Sequence, residues 1–322
     1  MFTTFRETKF LKDYSDFDKD IKLLKEIKSK YPFLNNIDKD IKLLEKGLYG
    51  EEEIKYELKN TNLGMYVLHD VNLGYNDLNA QIDFIIITKA YVYLVECKNL
   101  IGNITINENG EFRREYFYNN KKIIEGIYSP FNQAMRHKEI LRKIWLSKNN
   151  KINQILYEKS FDRIYKPLIV LSNSKSMLNK KYAPKKIKDI TIRSDELIEY
   201  IKNDIDKCDN KYYLSKKNML DIANSILKLN IKKENFILAK YQEKVKKLYN
   251  VKMNLKTYRK NKAQKNNIPA YYIFTDNELE KILMYMPKSI DELKQLNILN
   301  DIKINLHGKE IINILSNEER KN

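Results

Sequence analysis

Two apolar segments, QIDFIIIT (81–88) and YVYLVECKN (91–99), stand with only Lys89-Ala90 between them, and they restrict the fold more than anything else in the chain. Both are rich in β-branched and aromatic residues. Each is apolar on both faces of an extended strand, with Ile85, Ile87, Val92 and Leu94 against Phe84, Ile86, Tyr93 and Val95. That pattern belongs to a central strand pair covered on both sides, so a layered arrangement of helices around a sheet is required. A tight antiparallel hairpin with its tip at Lys89-Ala90 sets Thr88 opposite Tyr91, Ile86 opposite Tyr93 and Asp83 opposite Glu96. Opposed residues share a face with β-carbons ~4.5–5.5 Å apart. Lys98 lies two residues beyond Glu96 and so faces the same way.

The flanking segments complete an α/β sandwich. IKLLKEIKSK (21–30), IKLLEKG (41–47) and GEEEIKYELKN (50–60) have helical spacing, and the glutamates of the last sit in its first turn, where the helix dipole favours them. MYVLHDVNL (65–73) reads as a strand, and GNITINENGEFRREYFYNNKKI (102–123) as a hairpin turning at NENG. Helical periodicity returns after Ser129-Pro130. KPLIVLSNS (166–174) and KDITIRS (188–194) then read as strands, and DELIEYIKN (195–203) as a helix entered through Ser194. Residues 211–266 read as charged helix, and 268–316 as a compact helical module with Ser289 as an N-cap. The division expected is an N-terminal helical segment over 1–45, a mixed-sheet domain over 46–205, a charged helical linker over 206–251, a small all-helical domain over 252–316 and a tail over 317–322.

Asp83 and Glu96 repel each other unless something cationic joins them. A hard divalent ion bound through oxygen, with retained waters, is one solution. Such an ion positions water and neutralises charge developing on a phosphate, and Lys98 would aim a fixed positive charge at the same transition state. The bland alternative is that Lys98 neutralises both acids in a metal-free ion cluster at the sheet end. Spacing alone leaves the two level.

Asp followed by an apolar hairpin and Glu-x-Lys resembles the PD-(D/E)xK nuclease core, with Asp83, Glu96 and Lys98 at its three signature positions. More narrowly, GLYGE (47–51), AQID (80–83), VECKN (95–99) and PFNQAMRH (130–137) resemble, in that order, the NERD (nuclease-related) domain over roughly 46–203. The resemblance implies a restriction-endonuclease-like fold, with a central mixed sheet flanked by helices. It also implies metal-dependent hydrolysis of phosphodiester bonds with Mg2+ or Mn2+. Asp83, Glu96 and the backbone carbonyl of Cys97 would be the metal ligands. Glu51 would assist the metal or its water, and Gln133 would contact substrate or the general site. The ordinary readings stand beside these: Glu51 as a complement to a helix N-terminus, Gln133 as a bridge between core polar groups, and His137 as a half-buried packing residue. Cys97 departs from the small or apolar residue usual between the Glu and the Lys, but its side chain should point to the opposite sheet face.

IPAYYIFTDNELEKI, MPKSIDELKQL and HGKEIINIL resemble, again in order, the HRDC domain over roughly 252–316, a helical accessory domain of helicases and RNase D. Its implied role is assistance in nucleic-acid binding, with a helicase or other DNA-processing protein as a further partner. Charge supports this. The chain's net charge is +17, and residues 231–268 carry 12 basic against 2 acidic side chains. Concentrated positive charge is what a phosphate backbone rewards. Lys252, Lys256, Arg259, Lys260, Lys262 and Lys265 are the candidate contacts; Tyr258, Tyr271 and Tyr272 could stack on bases, but they lie in an apolar stretch that reads first as core.

Other classes fall away. No GxxxxGK[ST] supports a P-loop ATPase, and no GxSxG or Cys-His set supports other hydrolases. Cys97 and Cys208 are too far apart in sequence to suggest a zinc finger or a disulfide framework. With no apolar run of ~18 residues and no secretion signal, a soluble cytoplasmic protein is expected. Three functions remain: a Mg2+-dependent deoxyribonuclease, a DNA-binding or assembly protein with a weak or inactive nuclease-like fold, and a protein–protein adaptor.

Overall fold

The computed structural model describes residues 5–148, 151–232 and 234–319. Strand β1 (Thr8–Lys12) comes first, then helices α1 (Asp16–Lys30) and α2 (Ile37–Lys59). Strands β2 (Met65–Tyr75), β3 (Leu78–Ile87) and β4 (Val92–Lys98) follow, and after them β5 (Gly102–Ile106), β6 (Phe112–Tyr118) and β7 (Lys121–Ile127). Helices α3 (Pro130–Ser147) and α4 (Lys151–Ile164) lead into β8 (Tyr165–Leu171), β9 (Ser176–Asn179), α5 (Lys185–Lys188) and β10 (Thr191–Arg193). The rest is helical: α6 (Leu197–Asp206), α7 (Lys216–Leu227), α8 (Phe236–Lys265), α9 (Asp276–Tyr285), α10 (Ile290–Gln295) and α11 (Asp301–Glu319).

The described residues form two compact units, the first within 5–21 and 41–234, the second within 22–40 and 235–319. In the first, a six-stranded mixed sheet runs β1-β2-β3-β4-β8-β10, antiparallel across β2-β3-β4 and parallel elsewhere. The β3–β4 register pairs Phe84 with Val95 and Ile86 with Tyr93, as the apolar alternation requires. One face packs on α3 and α7 through Ile85, Ile87, Val92 and Leu94 against Ile140, Leu141, Ile144, Met219 and Ala223. The other packs on α2 and α6 through Phe84, Ile86, Tyr93 and Val95 against Ile54, Leu58, Leu197 and Ile201. A smaller sheet, β7-β6-β5-β9, is built out from the end of β4.

Three segments differ from the sequence reading. TKFLK, placed among polar helices, forms β1 and pairs in parallel with β2, because a short edge strand takes its conformation from a partner more than 50 residues away. The hairpin turning at Asn107–Gly110 gains a third strand, β7, through Asn119 and Asn120, both left-handed as a tight primed turn demands. Within the stretch read as a linker, α7 buries Met219, Ala223 and Ile226 in the sheet core and belongs to the first unit.

The second unit has its own core, with Val251 and Leu255 of α8 packed with Leu279, Ile282, Leu293 and Ile311. Thr275 opens α9 with a capping box to Glu278, and Ser289 caps α10 by accepting from the Glu292 N–H. Among the described residues, no helix is long and apolar enough to cross a membrane. Cys97 and Cys208 are both free thiols.

Candidate active site

The β3–β4 ladder ends at Phe84–Val95, and a cavity of about 420 Å³ opens where the two strands part. Glu51, Gln81, Asp83, Glu96, Cys97, Lys98, Gln133 and His137 all line it, so the four sequence motifs converge on one place. Beyond the ladder Asp83 does not meet Glu96 as a backbone pair. Its Oδ2 accepts the Cys97 N–H at 2.6 Å instead. Burial, then the charges of Glu96 and Glu51, push the Asp83 carboxyl well above the usual carboxylate range, against the pull of the Cys97 N–H and Lys98.

Glu96 continues the face of Val92 and Leu94 and is 2% exposed. Burial raises its carboxyl too, opposed chiefly by Lys98. Lys98 Nζ lies 2.6 Å from Glu96 Oε1 and donates to Gln133 Oε1 at 3.0 Å. Ser129 caps α3 and Pro130 starts it, which presents Gln133 and His137 on one helix face one turn apart. Glu96 Oε2 is buried without a hydrogen-bond partner, and His137 Nδ1 is 3.4 Å away. His137, expected only to pack, therefore faces the cavity. Cys97 turns its thiol to the opposite side, where Sγ meets Ser172 Oγ at 3.3 Å, and burial raises that thiol well above its ordinary value.

Glu51 enters from α2, which comes very close to the end of β4 at Gly50. A β-carbon there would fall 2.5 Å from Ser172 Oγ and 2.6 Å from Asn99 Cβ. Only glycine lets the helix approach so far. Glu51 Oε2 lies 2.6 Å from His69 Nε2, and with a carboxylate as acceptor the tautomer that fits places the proton on Nε2. His69, Asp70 and Lys12 were not singled out from the sequence. The signal available was the polar His-Asp pair interrupting the apolar run MYVLHDVNL.

Three carboxylates line the cavity; Glu51 is engaged by His69, which leaves Asp83 and Glu96, with the Cys97 carbonyl beside them in sequence, to ligate a hard cation. Among the described residues, no group of three or more His, Cys, Asp or Glu side chains is arranged to hold a metal ion. A two-carboxylate set still fits magnesium, which keeps most of its waters. The missing hydrogen bond at buried Glu96 Oε2 and the mutual repulsion of buried acids are what a cation would relieve.

Of the basic residues singled out on α8, Lys252 pairs with Glu280, and Arg259 donates to Phe274 O and Asp276 Oδ1. Those two charges are engaged within the second unit. Lys256, Lys260 and Lys265 are exposed, and Lys262 is half-buried. Tyr258 is part-buried, with its hydroxyl 2.9 Å from His307 Nδ1. Tyr271 and Tyr272, by contrast, are 58% exposed and stack on each other at 4.8 Å.

A mixed sheet between helices, with two acids and a lysine at the parting of its central hairpin, is followed in sequence by a separate helical unit; this is the general class of a nuclease-like domain with a helical accessory. Residues 46–172 match the family model of the nuclease-related domain, NERD, and residues 251–315 that of the HRDC domain. The chain thus carries a NERD domain followed by an HRDC domain, the second being a type associated with nucleic-acid binding. No curated protein and no solved structure matches it.

Proposed function

We propose that the protein is a Mg2+-dependent deoxyribonuclease of the PD-(D/E)xK type, with its helical domain assisting DNA binding. The observation that carries this reading is the meeting of Asp83, Glu96 and Lys98 in one cavity, with Glu96 Oε2 buried and making no hydrogen bond. Asp83 and Glu96, with the Cys97 carbonyl, would hold the ion. The bound ion would supply an activated water and neutralise charge on the scissile phosphate. Lys98 carries a fixed ammonium to the same phosphate, and Gln133 keeps that ammonium directed by accepting one of its protons. Glu51, its carboxylate held by His69, lies against the cavity as the acid that assists the water.

The test is incubation of the wild type, Asp83→Ala and Lys98→Ala with linear, circular and single-stranded DNA, with and without Mg2+. Cleavage should require the ion and fall by about 10²–10³-fold or more in either variant, while circular dichroism and DNA binding stay unchanged.

A second reading, DNA binding without cleavage, is favoured by one observation: Lys98 is already engaged by Glu96 and Gln133 in a closed polar cluster. Salt-sensitive binding with no cleavage in any metal would select it. Neither binding nor cleavage would leave a protein–protein adaptor.

A further inference from the structure

Strand β2 should alternate without interruption, and it does not. Leu68 and Val71 both join the core beneath α3 and α7, so the alternation reverses between them. The reversal is at Asp70, whose φ is +54°. The β2–β3 register is the same on either side, His69 with Phe84 and Val71 with Ile82, but Asp70 and Asp83 between them are not paired. A left-handed aspartate inside a strand persists only where its surroundings over-determine it.

Lys12 does so. It is 4% exposed, and its Nζ donates to the carbonyls of His69 (2.8 Å), Asp70 (2.7 Å) and Tyr14 (2.9 Å), which uses all three ammonium protons. Asp70 Oδ2 accepts from Ser15 Oγ and the Asp16 N–H, and Oδ1 accepts from Gln81 Nε2 at 2.9 Å. Gln81 and Glu51 both line the cavity. His69, stacked on Phe84, bonds Glu51 through Nε2 while its Nδ1 is buried with no partner. A phenylalanine would fill that space without leaving a nitrogen unsatisfied, so what the imidazole adds is its one bond to Glu51.

We propose that His69 and Lys12 are positioning residues of the site: His69 holds Glu51 from behind the cavity, and Lys12, from a strand outside the family-matched residues, locks the broken backbone that directs His69 to Glu51 and Asp70 to Gln81. The consequence for cleavage rests on the nuclease reading; the geometry does not.

The experiment uses the full chain and the variants His69→Phe, His69→Gln and Lys12→Met. His69→Phe should fold, keep its DNA affinity and lose about 10- to 100-fold in single-turnover cleavage with Mg2+. His69→Gln, whose amide can still donate to Glu51, should recover most of that loss. Lys12→Met should slow cleavage by a similar factor at temperatures well below its melting point. A folded His69→Phe as fast as the wild type overturns the role of His69, and so does a His69→Gln as slow as His69→Phe. A Lys12→Met that melts earlier but cleaves normally overturns the role of Lys12. If the wild type cleaves nothing, the nuclease reading fails and proton NMR of the metal-free chain decides instead. A low-field His69 Nε2–H resonance should vanish in Glu51→Ala and shift in Lys12→Met. Persistence through both substitutions overturns the proposal.

Discussion

Under the nuclease reading, Asp83 shows how a single side chain would link stability to metal binding. Its carboxyl is raised in the folded protein, first by burial and then by Glu96 and Glu51. An unfolded aspartate ionises near ~3.9, so above that pH the native state holds its proton more tightly, and stability falls as pH rises through the folded value. The sign predicts that Asp83→Asn, which removes the charge and keeps an acceptor for the Cys97 N–H, stabilises the metal-free protein at neutral pH. The gain should be on the order of 1 kcal/mol and should shrink toward pH 4. Thermal melts across that range in EDTA measure it. Added Mg2+ should narrow the gap by stabilising only the wild type. The hairpin spacing set Asp83 opposite Glu96, and the ladder stops one pair short of them, although both line the same cavity. The Cys97 N–H as the partner of Asp83 was not legible, since strand alternation carries no information past the end of a ladder.

Among the elements, α2 carries the sharpest contrast. Gly50 lies against Ser172 and Asn99, whereas a β-carbon at Gly47, one turn earlier, would meet no atom within 4 Å. Gly50→Ala should cost about 1–3 kcal/mol by overpacking and, under the nuclease reading, should also slow cleavage, because Glu51 is the next residue. Gly47→Ala should stabilise by up to about 1 kcal/mol through helix propensity alone. Urea titrations separate the two. The GLYGE motif was readable as a motif, but which of its glycines is packed and which is free depends on Asn99 and Ser172, the residues just after β4 and β8, which lie 49 and 122 positions onward. The same distance hid β1. By contrast, the β3–β4 register, the turn at Asn107–Gly110 and the caps at Thr275 and Ser289 are set by neighbouring residues, and all follow from local chemistry.

Over the whole molecule, charge is the feature that sequence counts resolve least. The +10 surplus in 231–268 is real, yet Lys252 and Arg259 spend theirs on Glu280 and Asp276. Under the DNA-binding reading, replacing Lys256, Lys260 and Lys265 together with alanine should lower the slope of log affinity against log salt by about 2–3. Fluorescence anisotropy over a salt series reads that slope. Arg259→Ala should instead lower the melting temperature, since its guanidinium holds Phe274 O as well as Asp276.

The two units are threaded rather than strung in series, since residues 22–40 belong with 235–319 while 5–21 and 41–234 make the other. Tyr241 on α8 fixes this arrangement locally, with its hydroxyl 2.8 Å from Asp40 and 3.3 Å from Asn35 O. A ribosome therefore releases the early helical piece some two hundred residues before its companion exists. No single cut through the gene separates the two units whole, because each is made of two stretches that alternate along the chain, so inheritance should favour keeping this pair of modules together over trading either one alone.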